Sequence, residues 1–181
     1  MRAAAAALVG LLALPGAQAG EVLRAEAQRS SDGYTLTLAL RVEAPLEQVR
    51  ARLTDYANLH RLNDTLRAST LLEARPPVFR VRLVSHACVL AFCATLVQEQ
   101  EVTELSSGDI AARLVPGAGD FRGGTLLWRF TPVEAGTEVA MHAHLQPDFW
   151  VPPVIGAWLL TRKLRQEARQ TLVALEQGRA P

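Results

Sequence analysis

The sequence predicts an α+β domain in which two short helices separate a first strand from an antiparallel strand meander, and one long helix closes the chain. Three observations carry this prediction. Segments with apolar residues at every second position recur along the chain and are separated by short turns, as in strands with one buried face. After the first clear strand, apolar residues recur every three or four positions instead. A longer segment with the same helical period stands near the end.

The first strands are predicted near the beginning of the chain. Residues 22–29 are a weak strand candidate, and residues 30–33 (SSDG) have the composition of a turn. Residues 34–42 place an apolar residue at each even position and a small or polar one at each odd position. This alternation predicts a strand with one buried face.

Two short helices are predicted next. Pro45 suits a first helical position, and Leu46, Val49 and Leu53 follow at helical spacing. Asp55 is a candidate cap for a second short helix. The inward face of that helix would carry Tyr56, Leu59 and Leu62.

The meander and the last helix fill the rest of the chain. Short turns between successive strands favour antiparallel pairing. The final helix is predicted to begin at Pro152-Pro153 and to run to about Gln177, before Gly178. Residues 154–160 are apolar on every side of the predicted helix, so this part of the helix is either buried on every side or exposed for a functional reason. The meander strands are expected within residues 66–74, 79–83, 93–105, 110–115, 126–130 and 139–145.

Residues 1–19 are predicted to be a cleaved secretory signal peptide. Arg2 precedes an apolar run at residues 3–14, and residues 17–19 (AQA) match the small-x-small cleavage pattern. Twelve helical residues reach about 18 Å, short of a hydrocarbon core of about 30 Å, so we do not expect a membrane anchor. Residues 20–181 are then a single domain, and the protein is expected to be periplasmic or secreted.

Cys88 and Cys93 are expected to form a disulfide across the end of a hairpin, because an exported protein meets an oxidising compartment. The alternative is a pair of buried free thiols. A zinc site would need two further ligands at suitable spacing, and the sequence offers none that is convincingly placed.

Charge and motifs exclude several classes of function. A net charge of +1 gives no electrostatic footprint for nucleic acid. The sequence holds no Gly-x-Ser-x-Gly elbow, and its Gly117-Ala118-Gly119 segment is followed by a strand rather than a helix. His142 and His144 share a strand face opposite the apolar residues, so solvent exposure explains them better than a metal does. We therefore expect no catalytic residue, no metal and no cofactor.

Several motifs resemble a known superfamily. They are residues 42–59 (VEAPLEQVRARLTDYANL), the segments 119–121 (GDF), 136–137 (GT), 147–153 (PDFWVPP) and 155–156 (IG), together with Trp128. With the order of elements, they resemble the START-like or helix-grip (SRPBCC) superfamily, in an exported bacterial branch similar to polyketide cyclase and coenzyme Q-binding START proteins. The resemblance implies a curved antiparallel sheet wrapped around the C-terminal helix, with an apolar cavity between them.

A cavity is also expected on physical grounds, since a strongly curved sheet cannot lie flush along a straight helix. Six of the ten aromatic residues fall between residues 121 and 158, where they would line the sheet, its last loop and the entrance of the helix. The residues expected to line the cavity are Tyr56, Phe92, Trp128, Phe130, Met141, Phe149, Trp150, Ile155, Trp158 and Leu159.

These observations favour an exported, monomeric and noncatalytic binder or carrier of a hydrophobic small molecule, of a lipid, quinone or polyketide-like kind. One alternative is a cyclase or dehydratase-like enzyme that acts in the same cavity, which would require polar groups to converge inside it. Another is a peripheral membrane-docking module that makes transient membrane contact. Residues 149–160, followed by Arg162 and Lys163, have the aromatic and basic character of an interfacial segment.

Overall fold

One antiparallel sheet and one long helix make up most of the structure. The computed structural model describes residues 20–89, 91–151 and 156–177, with the backbone alone at Val89 and Phe92, so the expected signal peptide lies outside the described residues. The helices are α1 (Leu46–Leu53) and α2 (Ala157–Gln177), with a 3₁₀ turn at Leu59–Arg61. The strands are β1 (Glu21–Arg29), β2 (Tyr34–Val42), β3 (Leu66–Arg75), β4 (Val78–Val89), β5 (Phe92–Glu104), β6 (Ile110–Leu114), β7 (Phe121–Val133) and β8 (Gly136–Pro147).

The strand order in the sheet is β1-β2-β8-β7-β6-β5-β4-β3. Strands β3 to β8 therefore form the antiparallel meander that the sequence predicts. The hairpin of β1 and β2 joins this meander through β2, which pairs with β8 from Tyr34 opposite Leu145 to Val42 opposite Thr137. This crossover brings the first strand of the hairpin to one edge of the sheet and β3 to the other.

Local irregularities bend the sheet into a curved surface. The register shifts between Val22 and Arg24 in β1, and between Phe121 and Gly123 in β7. Strand β3 carries two further shifts within residues 66–73. Because a β-bulge bends its strand and increases the local twist, four such sites produce a strongly curved sheet with a concave and a convex face.

The alternation in β2 and β8 decides which face is buried. Leu40, Val139 and Met141 are buried on the concave face, as their period-two spacing predicts. His142 and His144 alternate with the buried residues of β8, and their side chains lie on the opposite, convex face. Their side chains contact Thr37 and Thr35 of β2, respectively.

Helix α2 lies against the edge strand β1 and is held there by polar contacts at several points. The Ala27 amide, on the free edge of β1, donates a hydrogen bond to the Thr161 hydroxyl at 2.9 Å. The Thr65 hydroxyl donates to the Glu167 carboxylate at 2.8 Å, at the opposite edge of the sheet. Near the end of the helix, Arg52 donates to the Ala174 carbonyl at 2.9 Å. The helix is thus tied to both edges of the curved sheet and to α1.

The C-terminal half of α2 completes the hydrophobic core. Ala168, Leu172 and Leu175 are almost fully buried and pack with α1 and the concave face of the sheet. Since the sheet curves away from the straight helix, the buried helix residues of the main core cluster are confined to this half. The spacing of these apolar residues on one stripe is as the sequence predicts.

Two helix boundaries differ from the sequence-based expectation. The second short helix expected from the sequence is only a 3₁₀ turn at Leu59–Arg61, and Asp55 does not cap it. The Asp55 carboxylate instead accepts hydrogen bonds from the Asn58 side chain. Helix α2 begins at Ala157, and Gly156 precedes it as a cap whose carbonyl accepts from the Leu159 amide at 3.0 Å. Glycine is a weak helix former and serves well at this boundary. The expected start at Pro152 lies outside the described residues.

The turn before β8 packs against the link from β2 to α1. Gly136 has a φ of +137°, and a Cβ built there would lie 2.1 Å from the Val42 carbonyl oxygen. Next to it, the fully buried Thr137 hydroxyl donates to the Ala44 carbonyl at 2.9 Å. This close approach positions α1 over the sheet.

We predict that Gly136→Ala destabilises the protein by about 2 kcal/mol or more beyond Gly117→Ala, measured by urea unfolding. Gly117 is the matched control because its φ is +74° and a Cβ added to it would have no other atom within 4 Å. Gly117→Ala therefore carries only the cost of a positive φ, about 1–2 kcal/mol. Equal losses for the two variants would contradict the close approach at Gly136.

Candidate functional site

A small inner cavity of about 150 Å³ lies between the concave face of the sheet and the elements that cover it. Its floor comes from strands β4 to β7, its roof from the segment that includes the 3₁₀ turn, and one side from α2. The residues that line the inner cavity are Leu53, Tyr56, Leu59, Leu62, Asn63, Leu66, Leu83, Gln98, Gln100, Ile110, Ala112, Leu126, Trp128 and Thr171.

A second, larger hollow of about 350 Å³ lies towards the start of α2, where it opens to solvent, and we call it the outer pocket. It has no charged side chain among its described lining residues. Its volume falls within the range of about 300–1,000 Å³ typical of small-molecule sites. The residues that line it are Tyr34, Leu36, Ala87, Cys93, Ala94, Leu96, Phe121, Leu145, Pro147, Phe149, Trp150, Val151 and Leu160.

The two hollows are neighbours on the same face of the sheet. Leu96 lines the outer pocket and Gln98 the inner cavity, and residues two apart on a strand share a face. On α2, Leu160 borders the outer pocket and Thr171 the inner cavity, about 16 Å apart along the helix axis. The pair of hollows therefore follows the length of the helix.

Polar side chains are concentrated in the inner cavity. The Asn63 side-chain amide donates to the Thr171 hydroxyl at 3.3 Å. Gln100 is 7% exposed, and its Oε1 has no hydrogen-bond partner among the described residues. Gln98 lies beside it on the same strand face. The inner cavity can therefore offer hydrogen bonds to an occupant, whereas the outer pocket is almost wholly apolar.

Tyr56 is the ionisable residue of the inner cavity lining. Its hydroxyl donates to Glu104 Oε1 at 3.0 Å, and its ring packs on Phe79 with centroids 4.9 Å apart. Burial raises the pKa of the Tyr56 hydroxyl above its ordinary value, and the hydrogen bond to Glu104 raises it further. The hydroxyl is therefore neutral at physiological pH and is engaged with a carboxylate.

A disulfide and an aromatic pair shape the outer pocket. Cys88 and Cys93 are directly opposite in β4 and β5 and are joined by a disulfide, the first of the two arrangements expected from the sequence. This cross-link closes the end of the hairpin that forms one wall of the pocket. On another wall, the Phe121 and Phe149 rings meet edge to face with centroids 6.0 Å apart. Both contacts restrict the movement of residues around the opening.

The residues expected to line a cavity fall into several groups. Tyr56 and Trp128 line the inner cavity, and Phe149 and Trp150 line the outer pocket. Four others line neither hollow: Phe130 and Met141 pack in the core, Leu159 is buried, and Trp158 is 64% exposed. Ile155 and the Phe92 side chain lie outside the described part of the chain.

Sequence reasoning missed the amides of the inner cavity. Leu96, Gln98, Gln100 and Val102 occupy alternate positions of β5, so the two glutamines stand where the strand period predicts apolar residues. Polar residues at core-facing positions are an informative signal, because a buried polar group needs a partner. That signal could have identified Gln98 and Gln100 as cavity residues.

The three histidines that lie on strands, His86, His142 and His144, have polar side-chain partners. On the convex face, His144 Nε2 lies 3.3 Å from the Asp32 carboxylate. Hydrogen bonds from Gln146 and His144 lower the pKa of Asp32. In the described part of the chain, the one group of side chains with metal-ligand chemistry is His86, Cys88 and Cys93, whose ligand atoms lie within 4.8 Å of one another, but both thiols are used in the disulfide.

Solved structures share this architecture. A START superfamily protein from Mycobacterium smegmatis has a TM-score of 0.62 at 17% identity, covering 80% of this chain and 97% of its own. A STAR-related lipid transfer protein from Xanthomonas axonopodis gives 0.62 at 18% identity, with 89% and 98% covered. The Zhui aromatase/cyclase from a Streptomyces species gives 0.57 at 17% identity, with 78% and 88% covered. At these identities the likeness establishes the fold, which is of the START or helix-grip type.

A family model supplies the finer assignment. The model described as polyketide cyclase / dehydrase and lipid transport matches residues 35–177, which span every element from β2 to α2. The chain therefore belongs to this family, and its architecture is a hydrophobic ligand-binding fold. No curated protein sequence matches the chain.

We predict that Tyr56→Phe lowers the free energy of unfolding by about 1–2 kcal/mol at neutral pH, because it removes the hydrogen bond to Glu104. A raised pKa means that the stability supplied by the neutral hydroxyl is complete below the unfolded value of about 10 and is lost as the pH rises above it. The difference between wild type and variant should therefore shrink above about pH 10.

Urea unfolding at neutral and alkaline pH measures this difference, and Tyr34→Phe is the control because it removes a hydroxyl outside the inner cavity. Parallel pH profiles for wild type and Tyr56→Phe would show that the Tyr56 hydroxyl does not contribute as described.

Proposed function

We propose that this protein is an exported binder or carrier of a hydrophobic small molecule, held between the sheet and α2. The observation that carries the proposal is the outer pocket of about 350 Å³, which is lined almost entirely by apolar side chains and opens to solvent. The neighbouring inner cavity extends the space available to a ligand along the helix. Membership of a family described by cyclase, dehydrase and lipid-transport activities supports the same class of ligand.

The size of the apolar surface is compatible with reversible binding. A ligand that buries about 300 Å² gains roughly 7 kcal/mol from removal of apolar area from water. Association and ordering oppose part of that gain, so we expect micromolar or weaker dissociation constants. An affinity of this order suits a protein that must also release its ligand.

Binding is favoured over catalysis by the chemistry of the polar groups. The inner cavity does bring polar side chains together, but Asn63, Gln98, Gln100 and Thr171 carry amides and a hydroxyl, which orient a ligand without exchanging protons readily. Among the described residues that line the inner cavity, Tyr56 alone is ionisable, and it is hydrogen-bonded to Glu104. A general acid or base at neutral pH would need a different pKa.

Export is part of the proposal. Residues 1–19 have the pattern of a secretory signal peptide, and the Cys88–Cys93 disulfide is typical of proteins that work in an oxidising compartment. Among the described helices, none combines the length and apolar character needed to cross a bilayer.

We predict that Ala87→Phe in the outer pocket and Ala112→Phe in the inner cavity each weaken the binding of the neutral probe N-phenyl-1-naphthylamine by about tenfold. A phenyl ring would fill space that the ligand needs, which corresponds to about 1.4 kcal/mol of lost binding energy. Fluorescence titration measures the affinity, and native mass spectrometry with organic extraction detects any ligand that copurifies.

Ala140→Phe is the matched control, because Ala140 is exposed on the face of β8 that points away from the core. The control should bind the probe as wild type does, and melting temperatures show whether each variant is folded. A folded wild-type protein that binds no probe and yields no ligand on extraction would refute the proposed function.

A second candidate function, membrane docking, is favoured by the aromatic side chains around the outer pocket. Trp150 is 73% exposed and lines that pocket, and Trp158 is 64% exposed in the first turn of α2. Phe149, next to Trp150 in the chain, is 38% exposed and lines the same pocket. Aromatic side chains of this kind prefer the interface between water and lipid, where a hydrophobic ligand would be loaded or released.

We predict that the double variant Trp150→Ala, Trp158→Ala co-sediments several-fold less than wild type with vesicles of phosphatidylethanolamine and phosphatidylglycerol, because it loses the apolar surface that would enter the interface. Leu71→Ala, Leu72→Ala is the control, since these two leucines are exposed on the edge strand β3. Equal pelleting of wild type and the tryptophan variant would exclude docking through this region.

A further inference from the structure

The inner cavity contains a buried amide that the protein itself does not satisfy. Gln100 projects from the concave face of β5, is 7% exposed, and leaves its Oε1 without a hydrogen-bond partner among the described residues. Leucine is similar in size and would avoid the problem at a position that alternates with the apolar Leu96 and Val102. A buried carbonyl without a hydrogen bond lowers the stability of the folded state, so we expect Gln100 Oε1 to accept a hydrogen bond from a molecule outside the chain.

Three of the other polar side chains around the cavity already have hydrogen-bond partners: Tyr56, Asn63 and Thr171. The Tyr56 hydroxyl donates a hydrogen bond to the Glu104 carboxylate, and the Asn63 side-chain amide donates one to the Thr171 hydroxyl. Gln98 adds a second side-chain amide next to Gln100 on the same face. The described lining includes no arginine, lysine or histidine side chain that could pair directly with a buried anion.

The cavity also limits the size of the group that could meet this amide. With a volume of about 150 Å³, the inner cavity can hold a group of about the size of one benzene molecule. Leucines, Ile110 and the Trp128 indole supply most of the wall. An occupant is therefore compact and largely apolar, and it carries a hydrogen-bond donor.

We infer that the inner cavity receives the neutral, hydroxyl-bearing head group of an amphiphilic ligand, and that this hydroxyl donates to Gln100 Oε1. The apolar remainder of the ligand then lies towards the outer pocket. The inference rests on the proposed function and narrows its ligand class to neutral hydroxylated molecules. Carboxylate and phosphate head groups are disfavoured, because they lack a donor for Gln100 and would be buried without a cation.

The test compares three probes that share a tail and a ring: para-hexylphenol, para-hexylanisole, in which the donor is methylated, and para-hexylbenzoate. Isothermal titration calorimetry on the full mature chain should show that the wild type binds the phenol about tenfold more tightly than the anisole, and the benzoate most weakly. One hydrogen bond of ordinary strength accounts for a difference of this size.

Gln100→Leu should abolish the preference for the phenol over the anisole while it retains affinity for the anisole. Its melting temperature without ligand should equal or exceed that of the wild type, because an unsatisfied amide is replaced by an apolar side chain. Gln28→Leu is the matched control, since Gln28 is exposed on β1, and it should keep the tenfold preference.

The outcomes separate this inference from the proposed function. Equal affinity of the wild type for phenol and anisole would overturn the inference and leave a hydrophobic binder standing; a water molecule on Gln100 as its only partner would give this result. A preference that survives in folded Gln100→Leu, or tightest binding of the benzoate, would also overturn it. Failure of the wild type to bind any of the three probes would refute both.

Discussion

A bent sheet cannot follow a straight helix, and the candidate site depends on this mismatch. Bulges in β1, β3 and β7 curve the sheet, while α2 is a regular helix of 21 residues. The helix can pack closely on the concave face only over part of its length. Ala168, Leu172 and Leu175 make that close contact, and the space left beside and beyond them becomes the two hollows.

The mismatch is stable because polar contacts hold α2 at both edges of the sheet. Thr161 satisfies an amide on the free edge of β1, and Glu167 accepts from Thr65 just before β3. An exposed strand edge is otherwise open to pairing with another chain, so the first contact also protects the edge. These contacts let the helix bridge the sheet without filling the space between them with side chains.

The two hollows differ in chemistry, which gives the site a direction. The outer pocket is apolar, is stiffened on one wall by the Cys88–Cys93 disulfide, and has Trp150 at its opening. The inner cavity is smaller and holds the amides of Gln98 and Gln100. A molecule with one polar and one apolar end fits such an arrangement in a single orientation, because reversing it would bury its polar end against hydrocarbon. This asymmetry distinguishes a ligand site from an ordinary packing defect.

The sequence by itself determined the strands, the apolar stripe of α2 and the family resemblance, and it favoured a disulfide between Cys88 and Cys93 over free thiols, since alternation, helical period and short spacing are local properties. It also marked Tyr56, Trp128, Phe149 and Trp150 as residues of interest. Only the tertiary structure decided that Met141 and Phe130 belong to the core, that Trp158 is exposed, and that Gln100 faces a cavity without a partner. Period assigns a residue to a face, but whether that face meets side chains or empty space depends on how far the sheet bends from the helix, and no local pattern records that distance.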